Sequence, residues 1–315
     1  MNEHVRLAPA PFSDPAETAK GEPRATVALA GLKTLWFNTG TLCNIECVNC
    51  YIESSPTNDR LAYLTVADVL GYLEEIAERD LGTREIGFTG GEPFLNPEFP
   101  AMLRVCLERG FDVLVLTNAM KPMMRPAVRS ELLALGTEFG QQLTLRVSLD
   151  HYTRTLHDTE RGPGAWKDAL VGMRWLAAEG FAMTVAGRSC WGQSESQARQ
   201  GYARLFAAEG FPIDAANPAA LVIFPEMTAD ADVPEITVDC WDILGVRPEA
   251  MMCASSRMVV KRSGADSPAV LACTLLPYSP EFELGETLEA ARGAVHLNHA
   301  HCAQFCVLGG ASCST

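Results

Sequence analysis

The sequence predicts an α/β fold built on a curved parallel sheet, followed by a small cysteine-rich region. Strand-like and helix-like segments alternate about six times, at intervals of roughly 30–40 residues. Polar or glycine-rich groups follow most of the strand-like segments, and the alternation stops after residue 226. Such an alternation favours parallel strands with right-handed crossovers, in an open sheet or a partial barrel.

The predicted strands of this sheet are short apolar runs bounded by turn-forming residues. They are Thr34–Asn38, Glu85–Thr89, Asp112–Thr117, Leu143–Leu149, Phe181–Ala186 and Ala220–Phe224. In parallel sheets of this kind, binding and catalysis lie beyond the carboxyl ends of the strands. The polar groups that follow the strands are therefore expected to meet at one edge of the sheet.

The segments between these strands carry apolar residues at helical spacing. Thr65 and Asp68 form a predicted capping pair before the helix Val66–Arg79. The other predicted helices are Pro100–Arg109, Arg125–Leu135, Trp166–Glu179 and Ser196–Glu209. In the last part of the chain, the prediction is a hairpin followed by a helix. These elements are the strands Arg257–Lys261 and Ala269–Ala272, and a helix around Leu288–Arg292.

Composition limits the classes of function. The chain has 315 residues, a net charge of −14 and no run of Lys or Arg, so a nucleic-acid or anionic-membrane surface is not expected. No apolar run approaches the ~18–20 residues of a membrane span. Met1–Arg24 lacks the pattern of a secretory signal, so a cytoplasmic protein is expected. The predicted organisation is a flexible arm over 1–30, a core over 31–226 and a second domain over 227–315.

Cysteine usage points to a metal site. The chain has eleven cysteines, and in a reducing compartment clustered cysteines indicate metal more often than disulfides. Cys43, Cys47 and Cys50 follow the first predicted strand at C-x3-C-x2-C spacing. A [4Fe–4S] cluster normally takes four thiolates, so three leave one iron open to a small molecule. A zinc site with a fourth ligand elsewhere is the alternative, although no nearby histidine supports it.

A second motif, Thr89-Gly90-Gly91-Glu92-Pro93, follows the second predicted strand. The two motifs in this order resemble the radical S-adenosylmethionine (radical SAM) superfamily, over roughly residues 34–225. The resemblance implies a partial (β/α)6 barrel and a [4Fe–4S] cluster whose open iron binds SAM. It also implies reductive cleavage of SAM to a 5′-deoxyadenosyl radical that abstracts a substrate hydrogen. A reductase such as flavodoxin or ferredoxin would supply the electron.

The resemblance also implies roles for residues at the strand ends. Cys43, Cys47 and Cys50 would hold the cluster. The Gly90-Gly91 backbone and Glu92 would accept hydrogen bonds from the ammonium group of SAM. The other expected contacts of SAM or its surroundings are Asn118, Ser148 and Asp150 near the ribose, Arg188 at the carboxylate, and Tyr51.

Two further residues of this region have less certain roles. Asn49 departs from the family pattern, since the residue before the third cysteine is commonly aromatic or histidine and lies near the adenine. Hydrogen bonds rather than stacking are therefore expected to hold the adenine. Cys190 lies at a predicted strand end that faces the radical site. It is either a buried inert thiol or a donor of a hydrogen atom to a product radical.

The C-terminal region resembles the auxiliary-cluster domains, termed SPASM or twitch domains, of some radical SAM enzymes. Cys253 and Cys273 flank the predicted hairpin, which has Gly264 in its turn, and a cysteine group ends the chain. The resemblance implies a second [4Fe–4S] cluster, with zinc as the main alternative. Its expected ligands are Cys253, Cys273, Cys302 and Cys306, with Cys313 as a replacement for one of the last two.

These interpretations predict an enzyme that oxidises a small molecule or peptide, or forms a bond in it. In this prediction the auxiliary cluster accepts an electron or binds the substrate. Two alternatives remain open from the residues alone. One is an iron–sulfur electron-transfer or cluster-carrier protein without SAM chemistry, and the other is a zinc-stapled interaction module.

Overall fold

The computed structural model describes residues 10–227 and 232–310. In this part of the chain the strands are β1 (Thr26–Val27), β2 (Thr34–Asn38), β3 (Glu85–Thr89), β4 (Asp112–Thr117), β5 (Leu143–Ser148), β6 (Ala182–Arg188), β7 (Leu221–Phe224), β8 (Ser256–Val260), β9 (Ala269–Leu271), β10 (Glu283–Gly285) and β11 (Val295–His296). The α-helices are α1 (Val66–Arg79), α2 (Phe99–Glu108), α3 (Pro126–Phe139), α4 (Arg154–Arg161), α5 (Ala165–Ala178), α6 (Glu195–Glu209) and α7 (Cys240–Leu244).

Strands β2 to β7 lie side by side in sequence order, and every neighbouring pair is parallel. Helices α1 to α6 lie in the crossovers between them. One face of the sheet packs against helices through buried side chains such as Phe37 and Phe88, whose rings stack with centroids 5.6 Å apart. The predicted α/β fold with a mostly parallel sheet is confirmed.

Local sequence signals explain several element boundaries. Thr65 and Asp68 form the predicted capping box at the start of α1: the Thr65 hydroxyl accepts from the Asp68 backbone, and the Asp68 carboxylate accepts from the Thr65 backbone. Helix α3 runs to Phe139, four residues beyond its predicted end at Leu135. The predicted helix around 288–292 is only a short 3-10 turn, Ala290–Arg292.

The C-terminal hairpin joins the main sheet. Strand β8 pairs in parallel with β2, on the side away from β3, and β9 and β10 continue the sheet in antiparallel pairs. An unpaired β2 would have exposed a row of backbone donors and acceptors, which β8 satisfies. Strands on both sides of residue 226 belong to this one sheet. The domain boundary predicted there stays a prediction.

The second face of the sheet is covered by the C-terminal region. Trp36, Leu114 and Leu116 on this face belong to a core that includes residues of the C-terminal region. The rings of Phe224 and Phe305 are 5.4 Å apart, centroid to centroid. The interior of the curved sheet is therefore closed by residues far away in sequence.

The N-terminal segment is packed where the structure describes it, unlike the flexible arm predicted over residues 1–30. The Arg24 guanidinium lies 2.5 Å from the Glu235 carboxylate, and its side chain is fully buried. Ala25 and Val27 are also buried, and β1 pairs with β11. Residues 1–9 lie outside the described part. The prediction missed this packing because the partners of the segment are more than 200 residues away.

None of the helices in the described ranges combines the length and the apolar character needed to cross a membrane.

Candidate active site

A cavity opens at the carboxyl ends of the parallel strands. It brings together ten of the residues expected at the site from five separate segments. They are Cys43, Cys47, Cys50, Tyr51, Gly90, Gly91, Asn118, Ser148, Asp150 and Arg188. The sheet therefore places these side chains and backbone groups around one space, as the position of each after a strand predicted.

The cysteine loop is held by backbone hydrogen bonds at Cys43 and at Val48, which lies between Cys47 and Cys50. The Cys43 amide donates to the Ser55 carbonyl at 3.0 Å, and the Val48 amide donates to the Glu160 carbonyl at 2.9 Å. Burial raises the pKa of Cys43 to about 12 and that of Cys47 to about 11. Metal ligation requires thiolates, so binding of a cluster must displace protons from these thiols.

The glycine pair brings the second motif directly against the start of the cysteine loop. Gly90 has φ +146°, and a Cβ atom on Gly91 would lie 2.1 Å from the Leu42 carbonyl oxygen. The Gly91 amide donates to the Gly40 carbonyl at 2.8 Å. The glycines were expected to admit a ligand near the backbone. They are also required for this contact between two loops.

Glu92 does not line the cavity. It is buried, and its carboxylate accepts from the Thr117 hydroxyl and the Asn118 amide, each at 2.8 Å. Burial raises the pKa of Glu92 to about 7, although these hydrogen bonds oppose the shift. The end of β4 binds both carboxylate oxygens, and the expected contact of Glu92 with the SAM ammonium stays a prediction.

Asn118 connects the end of β4 to the cysteine loop. Its Nδ2 atom donates to Asn44 Oδ1 at 2.9 Å and lies 3.9 Å from the Cys43 sulfur. The position of Asn118 follows from Glu92, which binds its backbone amide. Asn118 thus lies beside Cys43 and Asn44, and its contact with the surroundings of a cluster stays a prediction.

Helix α4 was missed by sequence reasoning, because its eight residues, Arg154–Arg161, carry no apolar helical stripe. Its last residue, Arg161, binds both carboxylate oxygens of Asp150 at 2.5 and 3.0 Å. Although burial opposes the shift, Arg161 holds the pKa of Asp150 below its usual range. Asp150 therefore lines the cavity as one half of a buried ion pair.

Glu160, next to Arg161, was missed for the same reason. Its carboxylate accepts from the Asn49 backbone amide and the Asn49 side chain, each at 2.9 Å. It also accepts from Arg188 Nη1 at 3.1 Å. Asn49 was expected to offer hydrogen bonds to adenine, but its side-chain donor is directed at Glu160. The one available signal was the pair of opposite charges just before Gly162-Pro163-Gly164.

Arg188 is the last residue of β6, two residues beyond the predicted end of that strand. Its Nη1 atom donates to the Asn49 carbonyl at 2.7 Å, and its guanidinium carbon lies 5.0 Å from the centre of the Tyr51 ring. The Nε and Nη2 atoms are buried, and neither finds a hydrogen-bond partner among the described residues. Cys190, two residues further on, is not among the residues that line the cavity.

A second group of cysteines lies in the C-terminal region. Burial raises the pKa of Cys253 to about 12 and of Cys273 to about 11. Burial also raises the pKa of Cys306, with added contributions from the nearby thiols of Cys273, Cys253 and Cys302. Four of the five expected auxiliary ligands therefore lie near one another, while Cys313 lies outside the described residues.

This second group adjoins the first cavity. Thr274 and Leu275, which directly follow Cys273, line that cavity. Within the described ranges, no three His, Cys, Asp or Glu side chains are arranged to hold a single metal ion. Through Thr274 and Leu275, Cys273 of the second thiol group is only a residue or two along the chain from the wall of the cavity.

Comparison with known proteins matches part of the chain to a family. Residues 37–187 match the family model of the radical SAM superfamily. The antilisterial bacteriocin subtilosin biosynthesis protein AlbA of Bacillus subtilis is 29% identical over 154 residues, which are 47% of this chain and 32% of AlbA. The mycofactocin maturase MftC of Mycobacterium ulcerans is 29% identical over 140 residues, or 44% of this chain and 35% of MftC. The match therefore spans about a third of the length of these curated relatives.

The fold is also found in solved structures. Streptococcus suis SuiB bound to S-adenosylmethionine superposes with a TM-score of 0.59 at 12% identity, over 81% of this chain and 63% of SuiB. SuiB bound to its precursor peptide SuiA gives a TM-score of 0.60 at the same identity, over 84% of this chain and 66% of SuiB. At this identity the likeness shows the fold alone. The family match and the order of the two motifs identify residues 37–187 as a radical SAM domain.

Proposed function

We propose that this chain is a radical SAM enzyme that oxidises a peptide or small molecule, or forms a bond in it, with the help of an auxiliary cluster. The observation that carries the proposal is the cavity lined by Cys43, Cys47 and Cys50 together with Arg188. The three thiols supply ligands for three irons of a cubane cluster. The guanidinium of Arg188 supplies a cation in the same cavity.

The surroundings of the cavity fit a cluster with SAM. Arg188 Nε and Nη2 are buried donors without a partner among the described residues, and each such donor costs about 1–3 kcal/mol. A carboxylate in the cavity would satisfy both, and SAM carries one. Ser148, at the end of β5, places a hydroxyl at the same cavity, where the ribose is expected.

When bound, a reduced cluster with SAM would supply a 5′-deoxyadenosyl radical able to remove a hydrogen atom from a substrate. The residues of this chain bind and orient the reactants and exclude water. Part of the cavity is apolar, with Trp36, Leu116, Phe224 and Leu275 among the lining residues.

We propose Cys253, Cys273, Cys302 and Cys306 as ligands of an auxiliary [4Fe–4S] cluster, with Cys313 as a further candidate. Thr274 and Leu275 connect this group to the cavity. The placement suits a net two-electron oxidation. An auxiliary cluster held by these thiols would supply an acceptor for the second electron of such an oxidation.

A peptide substrate is favoured by the relatives. AlbA takes part in the biosynthesis of a bacteriocin, MftC is a maturase, and SuiB was solved with a precursor peptide. A one-electron donor of the flavodoxin or ferredoxin class would reduce the first cluster. We place the reaction in the cytoplasm, where such donors and reduced thiols are available.

The test is anaerobic reconstitution followed by metal analysis and an assay for 5′-deoxyadenosine. We expect about eight irons per chain, from two cubane clusters, and deoxyadenosine when SAM and a strong reductant are added. Cys50→Ala should abolish deoxyadenosine formation. Cys240→Ala is the matched control, because Cys240 lies on α7 and does not line the cavity.

Two results would contradict the proposal. Wild-type protein with full iron content that neither binds SAM nor forms deoxyadenosine would indicate an electron-transfer or cluster-carrier protein. Protein that takes up zinc and contains no acid-labile sulfide would indicate a structural zinc module.

A further inference from the structure

We propose that Glu160 is a positioning residue that holds Arg188 with one edge of its guanidinium turned to the cavity, ready for the carboxylate of the bound cofactor. The inference rests on the proposed function and adds a residue from α4 to the site. Three observations carry it: the contacts of Glu160, the unused edge of Arg188, and the separate pairing of Asp150.

The Glu160 carboxylate joins three parts of the fold. Oε1 accepts from the Asn49 amide at 2.9 Å and from Arg188 Nη1 at 3.1 Å. Oε2 accepts from Asn49 Nδ2 at 2.9 Å. The end of α4, the loop between Cys47 and Cys50, and the end of β6 therefore meet at one side chain. Glu160 is only 4% exposed, so these bonds are made away from bulk water.

These contacts leave a defined edge of Arg188 unused. A guanidinium has five N–H donors, of which Nη1 carries two. Nη1 donates to the Asn49 carbonyl and to Glu160, at 2.7 and 3.1 Å. The remaining donors lie on Nε and Nη2, which are buried and have no hydrogen-bond partner within the described ranges. Nε and Nη2 form one side of the planar group, and that side matches the two oxygens of a carboxylate.

The neighbouring carboxylate of Asp150 does not compete for this edge. Asp150 is 3% exposed and lies close enough to Arg188 for the cation to affect its pKa. Both Asp150 oxygens are bound by Arg161. The adjacent residues Glu160 and Arg161 thus have different partners: Glu160 fixes Nη1 of Arg188, and Arg161 neutralises Asp150. The edge of Arg188 is left for a ligand.

The test compares two ligands on anaerobically reconstituted protein by isothermal titration. SAM carries the carboxylate, whereas 5′-methylthioadenosine shares the adenosyl group and lacks the amino and carboxylate groups. Glu160→Gln keeps the size of the side chain, but its amide nitrogen must face a donor of Asn49 or Arg188. We expect SAM binding to weaken about tenfold or more, equivalent to about 1.4 kcal/mol. Binding of methylthioadenosine should change less than about threefold.

Arg154→Gln is the matched control. It removes a charge from the same helix, but its partner is Asp158 and its side chain is 72% exposed. This variant should bind both ligands as the wild type does. Glu160→Asp is a second variant, which keeps the charge but is one methylene too short to hold both partners. Glu160→Asp should show the same selective loss of SAM binding, and it takes the place of Glu160→Gln in the test if that variant does not take up iron.

The outcomes separate the two proposals. If the wild type does not bind SAM, the proposed function fails. If the wild type binds SAM and the Glu160 variants bind it within about threefold as tightly, the positioning role is wrong. An equal loss for SAM and methylthioadenosine would also refute it, because Glu160 would then support the site as a whole and not the Arg188 edge.

Discussion

Replacing Gly91 with alanine gives a sharp test of the contact between the two motifs. The added Cβ atom would lie 2.1 Å from the Leu42 carbonyl oxygen and 2.7 Å from that of Thr41. Both obstacles are backbone atoms, so no rotamer change can relieve the clash. The loop must move, and Cys43 follows Leu42 directly. Overpacking of this kind costs about 1–3 kcal/mol. We expect at least that loss of stability for Gly91→Ala.

The matched control is Gly71→Ala. Gly71 lies within α1, and its Cβ atom would meet nothing within 4 Å. Alanine is the better helix former by about 0.8–1 kcal/mol, so this variant should be slightly more stable than the wild type. The two substitutions add the same methyl group and have opposite expected signs.

The assay is anaerobic urea unfolding followed by circular dichroism, together with the iron content of each variant. Gly91→Ala should unfold at lower urea and hold less iron than the wild type, since displacement of residues 41–42 moves a cluster ligand. Equal unfolding midpoints for Gly91→Ala and the wild type would refute the reasoning. So would a loss of stability in Gly91→Ala that leaves iron content and SAM binding untouched, because Cys43 would then not depend on this contact.

Two further predictions concern buried charges. Arg161→Leu should lower the free energy of unfolding by about 3–5 kcal/mol, because it leaves the Asp150 carboxylate buried and unpaired; urea midpoints close to wild type would contradict this. Folding raises the pKa of Glu92 from 4.5 to about 7, so its contribution to stability is full below pH 4.5 and is lost as pH rises through 7. As pH rises from 4.5 to 7.5, deprotonation of Glu92 should lower the free energy of unfolding of the wild type by up to about 3 kcal/mol, and Glu92→Gln should lack this loss. Parallel profiles of unfolding free energy against pH for the two proteins would count against the raised pKa.

Much of the site was predictable because its signals are local. Three of the predicted strands, β2, β3 and β4, have the same bounds in the structure. The cysteine and glycine motifs follow β2 and β3 directly, and parallel strands bring their carboxyl ends to one edge. The strand-end rule therefore placed most of the expected residues around the cavity without any knowledge of long-range contacts.

Glu92 shows the limit of this reasoning. Its motif predicts a cofactor ligand, but a carboxylate takes whichever donors surround it. In the fold those donors are Thr117 and the Asn118 amide, which belong to the next strand. A motif predicts where a residue stands along the chain, and the neighbouring strand decides what its side chain contacts.

The sequence by itself determined the parallel αβ alternation, the three-thiol loop and the glycine turn, because periodicity, spacing and backbone freedom act within a few residues. Only the tertiary structure decided the electrostatics of the cavity. Glu160 and Arg161 lie on a short polar helix without a periodic signal. Glu160 meets Asn49 and Arg188 across more than 25 residues of chain, and Arg161 pairs with Asp150. Burial fixes these pairings, since a charge removed from water must be paired.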